Sequence, residues 1–592
     1  MGFYLSPLVA IQEVDLSTTI PAVATSIAGI VIRNPWKGKE GVRQYTTSSD
    51  ELIDTWGKPT ENVGNYRDML SGDGFHLYGN ALWSVGVRPD DATFAGLTST
   101  SLSTGPSATF TTPAISGSSS LTLADFSGGD VDTFADEFNP VGDLDFVSIW
   151  RGSSANRIRI GIVSSETYNT MVRQKGLTTW PINPYVLSVD SSIEAADTKS
   201  FLVLVQHCAQ GNDVTDANQW DLVELFNVST DLAALDSQGL SKFCETVINT
   251  QSKYIRVSLK ESLKNQTFTC SPTNWVQFGG GYDGDLSADL TSQIIEAYKM
   301  FENPEEIDIN ILIESDKSET VKQTLNQIAI DRMDCMGIVD CKYEHVVNNK
   351  GSEATALVNY RLGLAPFITN NLNINSDRLA AYGNWLEVYD RWNKKYRWIP
   401  ASGYIAGLWA NNDDVSEPWF APAGLNRAVL TGAIRRLAWN PTLGQRNLIY
   451  KNGWNPICSF AGQGKVVWGQ KTLLDKSSAF NRINVRRLFI VIEKASATAA
   501  KYFLFEQNDA FTRSQLKNML EPFLRDVQGR RGIYAFSVVC DETNNTPERI
   551  DRNELWCDII LQPTKTAEVI VLRFTATKTG ASFSEIAQAL NG

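Results

Sequence analysis

Histidine is scarce in this sequence, with only His76, His207 and His345 among 592 residues. A Ser-His-Asp hydrolase needs a histidine that an acid holds in position. His207 ends an apolar strand beside Cys208, where a satisfied, packed histidine is the better interpretation. The paired carboxylates lie in turns and helix starts, and nothing in the sequence places two of them across a cleft. The sequence therefore predicts no catalytic residues.

The eight cysteines are scattered and include no C-x-x-C pair, so we expect no structural zinc or other metal site. Cysteines dispersed through a large domain are usually reduced and buried. Long apolar runs are also missing, because the longest, Ile20 to Ile32, is too short to span a bilayer and contains Pro21. No cationic segment precedes an apolar run at the N-terminus, so no secretory signal is expected.

Positive charge is not in excess, since the formal net charge is -13 and the sequence pI is about 5.0. Such a surface does not favour nucleic acid or an anionic membrane as a partner. One basic and aromatic cluster could still stack bases, but a helix end that packs its aromatic side chains into the core, or a protein interface, explains it better. The cluster contains Trp385, Arg391, Trp392, Lys394, Lys395, Tyr396, Arg397 and Trp398.

Two segments resemble phosphate-binding loops, but neither has the residues that such a loop needs. Residues 279–284 match the letters of the dinucleotide fingerprint, but Asp283 and Asp285 beside the last glycine would repel a pyrophosphate. Residues 469–472 resemble the end of a P-loop, but Gln470 occupies the position of the essential lysine. We expect a glycine turn at the first segment, a solvated turn at the second, and no cofactor.

The chain is long enough for several domains. Ser, Thr, Gly and Ala dominate residues 95–120, which indicates an inserted, mostly β module. From about Val186, strands alternate with helices and predict a mainly parallel sheet covered on both faces. The predicted strands are Ile27 to Ile32, Ala81 to Arg88, Leu202 to Gln206, Tyr254 to Leu259, Ile307 to Ile313 and Met336 to Val339. The predicted helices are Leu240 to Thr250, Leu286 to Phe301, Lys317 to Asp331 and Ser376 to Tyr389.

The stretch from Asn484 to Ser584 is heavily patterned but contains no catalytic residues. Apolar segments that we interpret as strands, among them Asn484 to Ala495, alternate with a polar turn, and a helix is predicted from Arg513 to Asp526. The chain then finishes in a strand and a polar tail. This pattern is typical of a module that joins copies of the same protein.

Several ordered motifs together resemble the tail sheath proteins of contractile-tailed phages and related contractile injection systems. They are Pro7 through Asp15 with Thr18 through Gly29, Arg151-Gly152 through Asn156, Phe278 through Gly284, Gly403 through Gly424, Trp468 through Thr472, Asn484 through Leu488, and Cys540 through Asp551. The last of these, which begins CDETNNTPE, is the most specific.

The resemblance implies an α+β multidomain protein that is not an enzyme and has no cofactor. It implies a subtilisin-like α/β middle domain with a mostly β insertion, and an α+β C-terminal domain flanked by extended arms. The expected domains are an N-terminal arm (1–26), a middle domain (27–92 and 186–400), an outer β domain (93–185), an inner, tube-facing domain (401–566), and a C-terminal strand and arm (567–592).

The resemblance also implies partners and a location. The chain would form hexameric rings, stacked helically around a tail tube, and would contact the tube protein, baseplate and tail terminator proteins. It would bind no nucleic acid and insert into no membrane. It would be assembled in the cytoplasm of the bacterial host and become part of the virion tail, and contraction would drive the tube through the host envelope.

A polymer that changes pitch without falling apart can be held together by strands lent between subunits. The predicted strand arms contain Tyr4, Val9, Ile11, Glu13, Val14, Val569, Val571, Arg573 and Phe574. The predicted tube contacts are Lys501, Glu506, Arg513, Lys517 and Arg525. Pairing of both arms within their own subunit is the simpler alternative.

Two other classes of function remain open from the residues alone. One is a virion-associated or secreted hydrolase with an α/β domain, and the other is a different shell or baseplate protein of a virion. Activity assays would separate the first from a sheath, and electron micrographs would separate the second.

Overall fold

A computed structural model describes residues 26–100, 109–111, 144–164, 198–236, 238–268 and 275–571. The described residues divide into two compact units, one that ends at residue 499 and one of residues 500–571. None of the described helices is both long and apolar enough for a membrane crossing. Residues 401–499 belong to the larger of these units, and the predicted domain bounds stay a prediction.

The strands, in chain order, are β1 Ala28–Arg33, β2 Gln44–Thr46, β3 Leu82–Val87, β4 Phe94–Thr100, β5 Thr109–Thr111, β6 Leu144–Arg151, β7 Ile158–Ser164, β8 Ser200–Cys208, β9 Trp220–Ser229, β10 Ile255–Leu259, β11 Val276–Gln277, β12 Ile311–Ile313, β13 Met336–Asp340, β14 Leu379–Tyr382, β15 Trp385–Asp390, β16 Lys395–Pro400, β17 Val429–Leu430, β18 Ile434–Leu437, β19 Trp454–Asn455, β20 Ile457–Phe460, β21 Gly464–Val467, β22 Ile533–Val539 and β23 Asp558–Pro563.

The α-helices are α1 Ser49–Trp56, α2 Val63–His76, α3 Cys244–Gln251, α4 Thr291–Lys299, α5 Glu319–Arg332, α6 Tyr343–Val346, α7 Glu353–Leu362, α8 Ser402–Val415, α9 Leu443–Lys451, α10 Ile483–Ala500, α11 Ala510–Gly529 and α12 Pro547–Asp551. Ser48 caps α1 through a hydrogen bond from the Glu51 amide to its side chain, as the sequence indicates.

The larger unit is built on a seven-stranded sheet of order β19-β14-β13-β12-β1-β3-β2, parallel except for β2 at one edge. Both faces are covered, because Ile30 and Ile32 of β1 enter one core and Val31 enters another. Helix α8 packs on α2 so closely that a Cβ at Gly403 would lie 2.1 Å from the Ser71 carbonyl oxygen. The mixed α/β character that the sequence predicts is confirmed for this sheet.

The β module differs from its prediction in extent and pairing. It comprises two four-stranded antiparallel sheets, of order β10-β6-β4-β5 and β11-β7-β8-β9. The predicted strands at 202–206 and 254–259 exist, but they belong to these sheets, so placing them in the parallel sheet was wrong. The physical reason is their shared core, in which Val203 and Val257 pack with Phe146 and Ile160.

Two segments have the opposite secondary structure to the prediction. The predicted helix Ser376 to Tyr389 is wrong, because β14 joins the parallel sheet there and β15 forms a hairpin with β16. The predicted strand in Asn484 to Ala495 is also wrong, because this segment lies in α10. Its buried Val485, Leu488, Ile492 and Ala495 recur every three or four residues, which is the period of one helix face.

The smaller unit, over its described residues 500–571, is one long helix packed on a two-stranded ribbon. Leu516, Leu520 and Leu524 of α11 are buried, as are Ile533 and Val538 of β22. Strands β22 and β23 pair antiparallel from Ile533 opposite Pro563 to Val539 opposite Asp558. The predicted helix Arg513 to Asp526 is confirmed within α11.

Candidate assembly site

The three histidines do not form a hydrolase site. His207 is enclosed by Trp36, Trp150 and Tyr254, with ring centroids 5.6, 6.2 and 5.4 Å away. Its Nε2 has no hydrogen-bond partner, so it is packed but not satisfied by polar contacts. Burial, reinforced by nearby Lys37 and Arg157, lowers the pKa of His207 to about 3.

The other two histidines are also held neutral. His76 lies 3.0 Å from the Thr46 hydroxyl, and burial lowers its pKa to about 4. His345 packs against Tyr360 and Phe367, and burial lowers its pKa to about 3. None of the three histidine rings, all within the described residues, is hydrogen-bonded to a serine or a carboxylate.

The carboxyl ends of the parallel strands, where enzymes of this architecture often bind ligands, hold a closed ion network. Asp68 accepts from Arg33 Nε at 2.8 Å and from Lys317 Nζ at 3.1 Å, and both Asp68 and Lys317 are fully buried. Burial opposes ionisation, but Arg33 and Lys317 hold the pKa of Asp68 below its usual value. A cavity of about 790 Å³ lies beside the network, and its lining Lys342 is 3.6 Å from Glu319. These charged side chains are therefore paired with one another.

Two motifs that are distant in the sequence meet in the structure. Asn156 donates to the Gly281 carbonyl at 2.9 Å and accepts from the Gly281 amide at 2.8 Å. The Ser153 amide donates to Asp283 at 2.8 Å. A Cβ at Gly281 would lie 2.2 Å from the Gly152 carbonyl oxygen, so only glycine permits this approach. The 279–284 segment is therefore a structural junction and not a nucleotide fingerprint.

The second phosphate-like segment is buried, so the prediction of a solvated turn there was wrong. Gln470 and Thr472 are almost fully buried. Asn455 accepts from the Lys471 amide at 2.7 Å and donates to the Lys471 carbonyl at 2.8 Å, while Lys471 Nζ donates to the Tyr450 carbonyl at 2.9 Å. These hydrogen bonds between the Asn455 side chain and the Lys471 backbone anchor the segment to β19. The Lys471 ammonium group is engaged by the Tyr450 carbonyl, so the segment does not form a phosphate site.

We expected the aromatic and basic cluster at a helix end, but it lies on the hairpin β15–β16. Trp385 is fully buried and donates to the Cys341 carbonyl at 2.7 Å. Arg397 binds Asp390 at 2.9 Å and Glu61 at 3.0 Å, and Lys395 also binds Glu61. The packing explanation is confirmed for Trp385, while these cations are neutralised by carboxylates.

The CDETNNTPE segment forms a turn held by two buried asparagines. Asn544 Nδ2 donates to the Val539 carbonyl at 2.7 Å and to Asp558 at 3.0 Å. Asn545 donates to the Trp556 carbonyl at 2.9 Å and accepts from the Trp556 amide at 2.7 Å. Together they close the end of the β22–β23 ribbon, which explains why two consecutive asparagines stand there.

Neither β22 nor β23 pairs with a further strand at its outer edge within the described residues. Tyr534 and Ile560 on these strands are more than half exposed. Unpaired edges are templates for strands from another chain. Three consecutive apolar residues, Val569, Ile570 and Val571, follow β23 outside any regular element and are at least 73% exposed.

The predicted arm residues are only partly within the described structure. Val569 and Val571 are exposed, as a strand donor requires. The other predicted arm residues, Tyr4, Val9, Ile11, Glu13, Val14, Arg573 and Phe574, lie outside the described residues. The exchange of arms stays a prediction.

The predicted tube contacts differ in accessibility. Lys501 and Glu506 are exposed in the loop after α10, and Arg525 is exposed on α11 with Glu521 at 3.2 Å. Lys517 is partly buried, whereas Arg513 is buried and donates to the Asn508 side chain at 3.1 Å. Only the exposed residues could contact a partner without rearrangement.

Sequence reasoning missed the apolar surface beside these charges. Tyr502, Leu504 and Phe511 are more than 60% exposed, and Phe505 is fully exposed. Phe505 also has a φ of 69°, which is costly for a bulky side chain. The signal that could have found this surface was the apolar run around 502–505.

Comparisons with known proteins agree with these motifs. The phage tail sheath protein central domain matches residues 290–473, and the phage tail sheath C-terminal domain matches residues 475–577. Through these two domains the chain is similar to the phage tail sheath family.

Two curated relatives are similar over much of the chain. The tail sheath protein of Vibrio phage KVP40 is 38% identical over 62% of this chain and 55% of its own length. The tail sheath protein of Enterobacteria phage T4 is 37% identical over 53% of this chain and 50% of its own length. The chain thus spans about half the length of the curated relatives it matches.

The crystal structure of a sheath tail protein from Listeria innocua is similar in fold. It has a TM-score of 0.51 and 10% sequence identity, and the match covers 92% of this chain and 96% of that chain. At this identity the likeness concerns the fold alone. It agrees with the mixed helix and strand, multidomain architecture described above.

Proposed function

We propose that this chain is a non-enzymatic structural subunit of a contractile phage tail sheath. It would form hexameric rings stacked around a tail tube, with the baseplate and a terminator protein at the two ends. The observation that carries the proposal is the pair of sheath domains at 290–473 and 475–577, together with the two open edges of the β22–β23 ribbon. The paired buried charges and uncoupled histidines support a structural role over the hydrolase alternative.

The larger unit would be the subtilisin-like middle domain with its outer β insertion. Its parallel sheet with helices on both faces supports that assignment. Fold does not confer function. The smaller unit would be the inner domain that faces the tube, and the extended arms would lie at the two ends of the chain.

Strand exchange would join the subunits. The ribbon of one subunit would accept the N-terminal arm and the Val569–Val571 segment of its neighbours as additional strands. Backbone hydrogen bonds would supply most of the affinity, and the exposed Tyr534 and Ile560 would gain apolar contacts. Such links would persist while ring spacing changes, because they would depend on donated strands and not on a rigid interface.

Contraction would release free energy stored in a kinetically trapped extended state. No nucleotide would be consumed, since the two phosphate-like segments serve as structural junctions. The loop at residues 501–509 would contribute to the tube contact, because Lys501 and Glu506 flank the exposed Phe505. Exposed charges give contacts that break readily, and one apolar anchor would fix their register.

Truncation tests the strand-exchange proposal. We expect a chain that lacks residues 1–15 to stay folded and monomeric, whereas the full chain forms tubes in negative-stain electron micrographs. The double variant Val569→Asp, Val571→Asp should also fail to polymerise, because charges interrupt the apolar side of the donated strand. The matched control is Lys565→Ala, an exposed position in the same segment. Normal tubes from both altered chains would contradict the exchange of arms.

A further inference from the structure

Cys540 and Cys557 occupy opposing positions at the closed end of the ribbon. The last ladder pair is Val539 opposite Asp558, so one step further along each strand lie these two cysteines. Opposing residues of antiparallel strands have Cα atoms about 4.5–5.5 Å apart and side chains on the same face. Disulfides need a Cα separation of about 4.4–6.8 Å. The register therefore suits a cross-strand disulfide.

The asparagine turn keeps the two strands together on both sides of the cysteines. Asn544 contacts Val539 and Asp558 on one side, as described above. On the other, Asn545 Nδ2 donates to the Asp541 carbonyl at 3.1 Å and to the Trp556 carbonyl at 2.9 Å. The Cys540 and Cys557 thiols are near enough for each to shift the pKa of the other. The sulfur atoms are thus held near each other by contacts that do not involve them.

The pair differs from the other described cysteines in access. The remaining five, Cys208, Cys244, Cys335, Cys341 and Cys458, are buried. Cys557 is only partly buried, whereas Cys540 beside it is buried. A small oxidant can therefore reach one sulfur while the second stays in position to resolve the adduct, which is the arrangement of redox-sensitive pairs.

We propose that Cys540 and Cys557 form an intramolecular disulfide when the chain meets a small disulfide oxidant such as oxidised glutathione. The Cys557 thiolate attacks one oxidant sulfur, forms a mixed disulfide and releases one thiolate, which takes up a proton. Cys540 then loses its proton, attacks the Cys557 sulfur and releases the second thiolate. Two protein thiols are oxidised, and one oxidant disulfide is reduced to two thiols.

The bond would lock the ribbon closed around its turn. Its formation rests only on the ribbon geometry, whereas its consequence for assembly, a fixed acceptor for neighbouring strands, rests on the proposed function. A disulfide that closes a loop of this length constrains local unfolding, and we expect amide exchange in β22 and β23 to slow roughly hundredfold.

The local charges make the reaction slow at neutral pH. Burial, with Cys540 as a neighbour, raises the pKa of Cys557 to about 12, and burial also raises the pKa of Cys540. Asp541 and Asp558 oppose thiolate formation, while Arg513 and Lys517 of α11 favour it. Because the thiolate is the nucleophile, the oxidation rate should rise about tenfold per pH unit below that pKa.

Peptide mapping of the full chain tests the proposal. The protein is incubated with oxidised glutathione at pH 7 and pH 9, alkylated and digested with trypsin, which separates Gly532–Arg549 from Asn553–Lys565. We expect these two peptides to be joined by a disulfide, with a mass two hydrogens below the sum of the two reduced peptides. The linked product should form faster at pH 9. Dithiothreitol should restore both free peptides.

Single variants supply the controls. Cys540→Ser and Cys557→Ser should each abolish the link, and Cys557→Ser should also prevent the mixed disulfide with glutathione at this turn. Free Cys540 and Cys557 after oxidation of the folded wild-type chain, or links to other cysteines instead, would overturn the proposal. Tube formation by electron microscopy is scored separately, so a linked ribbon in a chain that forms no tubes would refute the sheath function and not the disulfide.

Discussion

The two compact units of this chain differ in how many of their large apolar side chains are buried. The larger unit buries its strands and helices in four extensive cores, with Trp56, Trp385, Trp409 and Trp454 fully enclosed. In residues 500–571, ten large apolar side chains are exposed and only seven apolar side chains are buried. A domain this small has little core of its own. The larger unit thus buries far more apolar surface than the described residues of the smaller unit do.

Acid should have the largest effect, and the part of it that comes from the histidines should act on the larger unit alone. All three histidines are in that unit, with pKa values lowered to about 4, 3 and 3, while residues 500–571 contain none. Below pH 6.5 these histidines are protonated in the unfolded chain but stay neutral in the folded chain. The free energy of unfolding therefore falls as the pH falls. We expect a loss of about 2 kcal/mol per histidine at pH 5.

Urea denaturation between pH 7 and pH 4.5, monitored by amide exchange in each unit, measures this loss. His207→Leu should reduce the acid sensitivity by about a third, because its Nε2 has no polar partner to lose. Equal acid sensitivity of the two units would remove the histidines as its cause.

The ion network at the sheet edge comes next. Asp68→Ala should destabilise the larger unit by about 3–5 kcal/mol, because it leaves the buried Lys317 and the partly buried Arg33 without their shared carboxylate. Glu296→Ala is the control, since its pair with Lys299 is exposed and should contribute less than about 1 kcal/mol. Denaturation curves of both variants measure the difference, and similar midpoints would show that the network is dispensable.

A core truncation should break the smaller unit more completely than its size suggests. Leu524→Ala removes a fully buried side chain from α11 and should cost about 3 kcal/mol. Because few other apolar contacts hold this unit, we expect rapid amide exchange throughout residues 500–571 and unchanged exchange in the larger unit. Leu504→Ala, at an exposed position, should leave both exchange patterns as in the wild type.

The asparagine turn should have an intermediate effect. Asn545→Ala removes side-chain hydrogen bonds to Asp541 and Trp556 and should cost about 2 kcal/mol, since the partly buried Trp556 amide and carbonyl lose this partner. Glu542→Ala in the same turn is exposed and should be neutral within about 0.5 kcal/mol. Thermal unfolding of the smaller unit distinguishes them, and equal losses would deny the turn its structural role.

The smallest expected effect is a gain. Phe505→Gly should stabilise the isolated chain by about 1 kcal/mol, because glycine relieves the positive φ and no buried contact is lost. The neighbouring Leu504 has ordinary extended backbone, so Leu504→Gly should not stabilise it. Cosedimentation with tail tubes should meanwhile weaken for Phe505→Gly. A variant that is no more stable, or that binds tubes as well as the wild type, would contradict the loop's proposed role.

Local sequence patterns were sufficient to predict helices, caps and strands whose conformation does not depend on distant residues. The helix Arg513 to Asp526, the Ser48 cap and the strand Met336 to Val339 follow from periodicity and end signals that neighbours do not override. The glycine turn at 279–284 was also predictable, because two aspartates exclude a phosphate. The family motifs could be read in order, so the similarity to sheath proteins was recognisable without the fold.

Tertiary structure decided the rest, because pairing and burial depend on residues far apart in the chain. Residues 202–206 read as a strand in either kind of sheet, and only the β core with Phe146 made it antiparallel. The segment 376–389 became two strands because β13 and β16 were available to pair with it. Gln470 looked exposed until Asn455 enclosed its loop. Likewise, the spacing of Cys540 and Cys557 gives no hint of contact, and only the ribbon register places their thiols together.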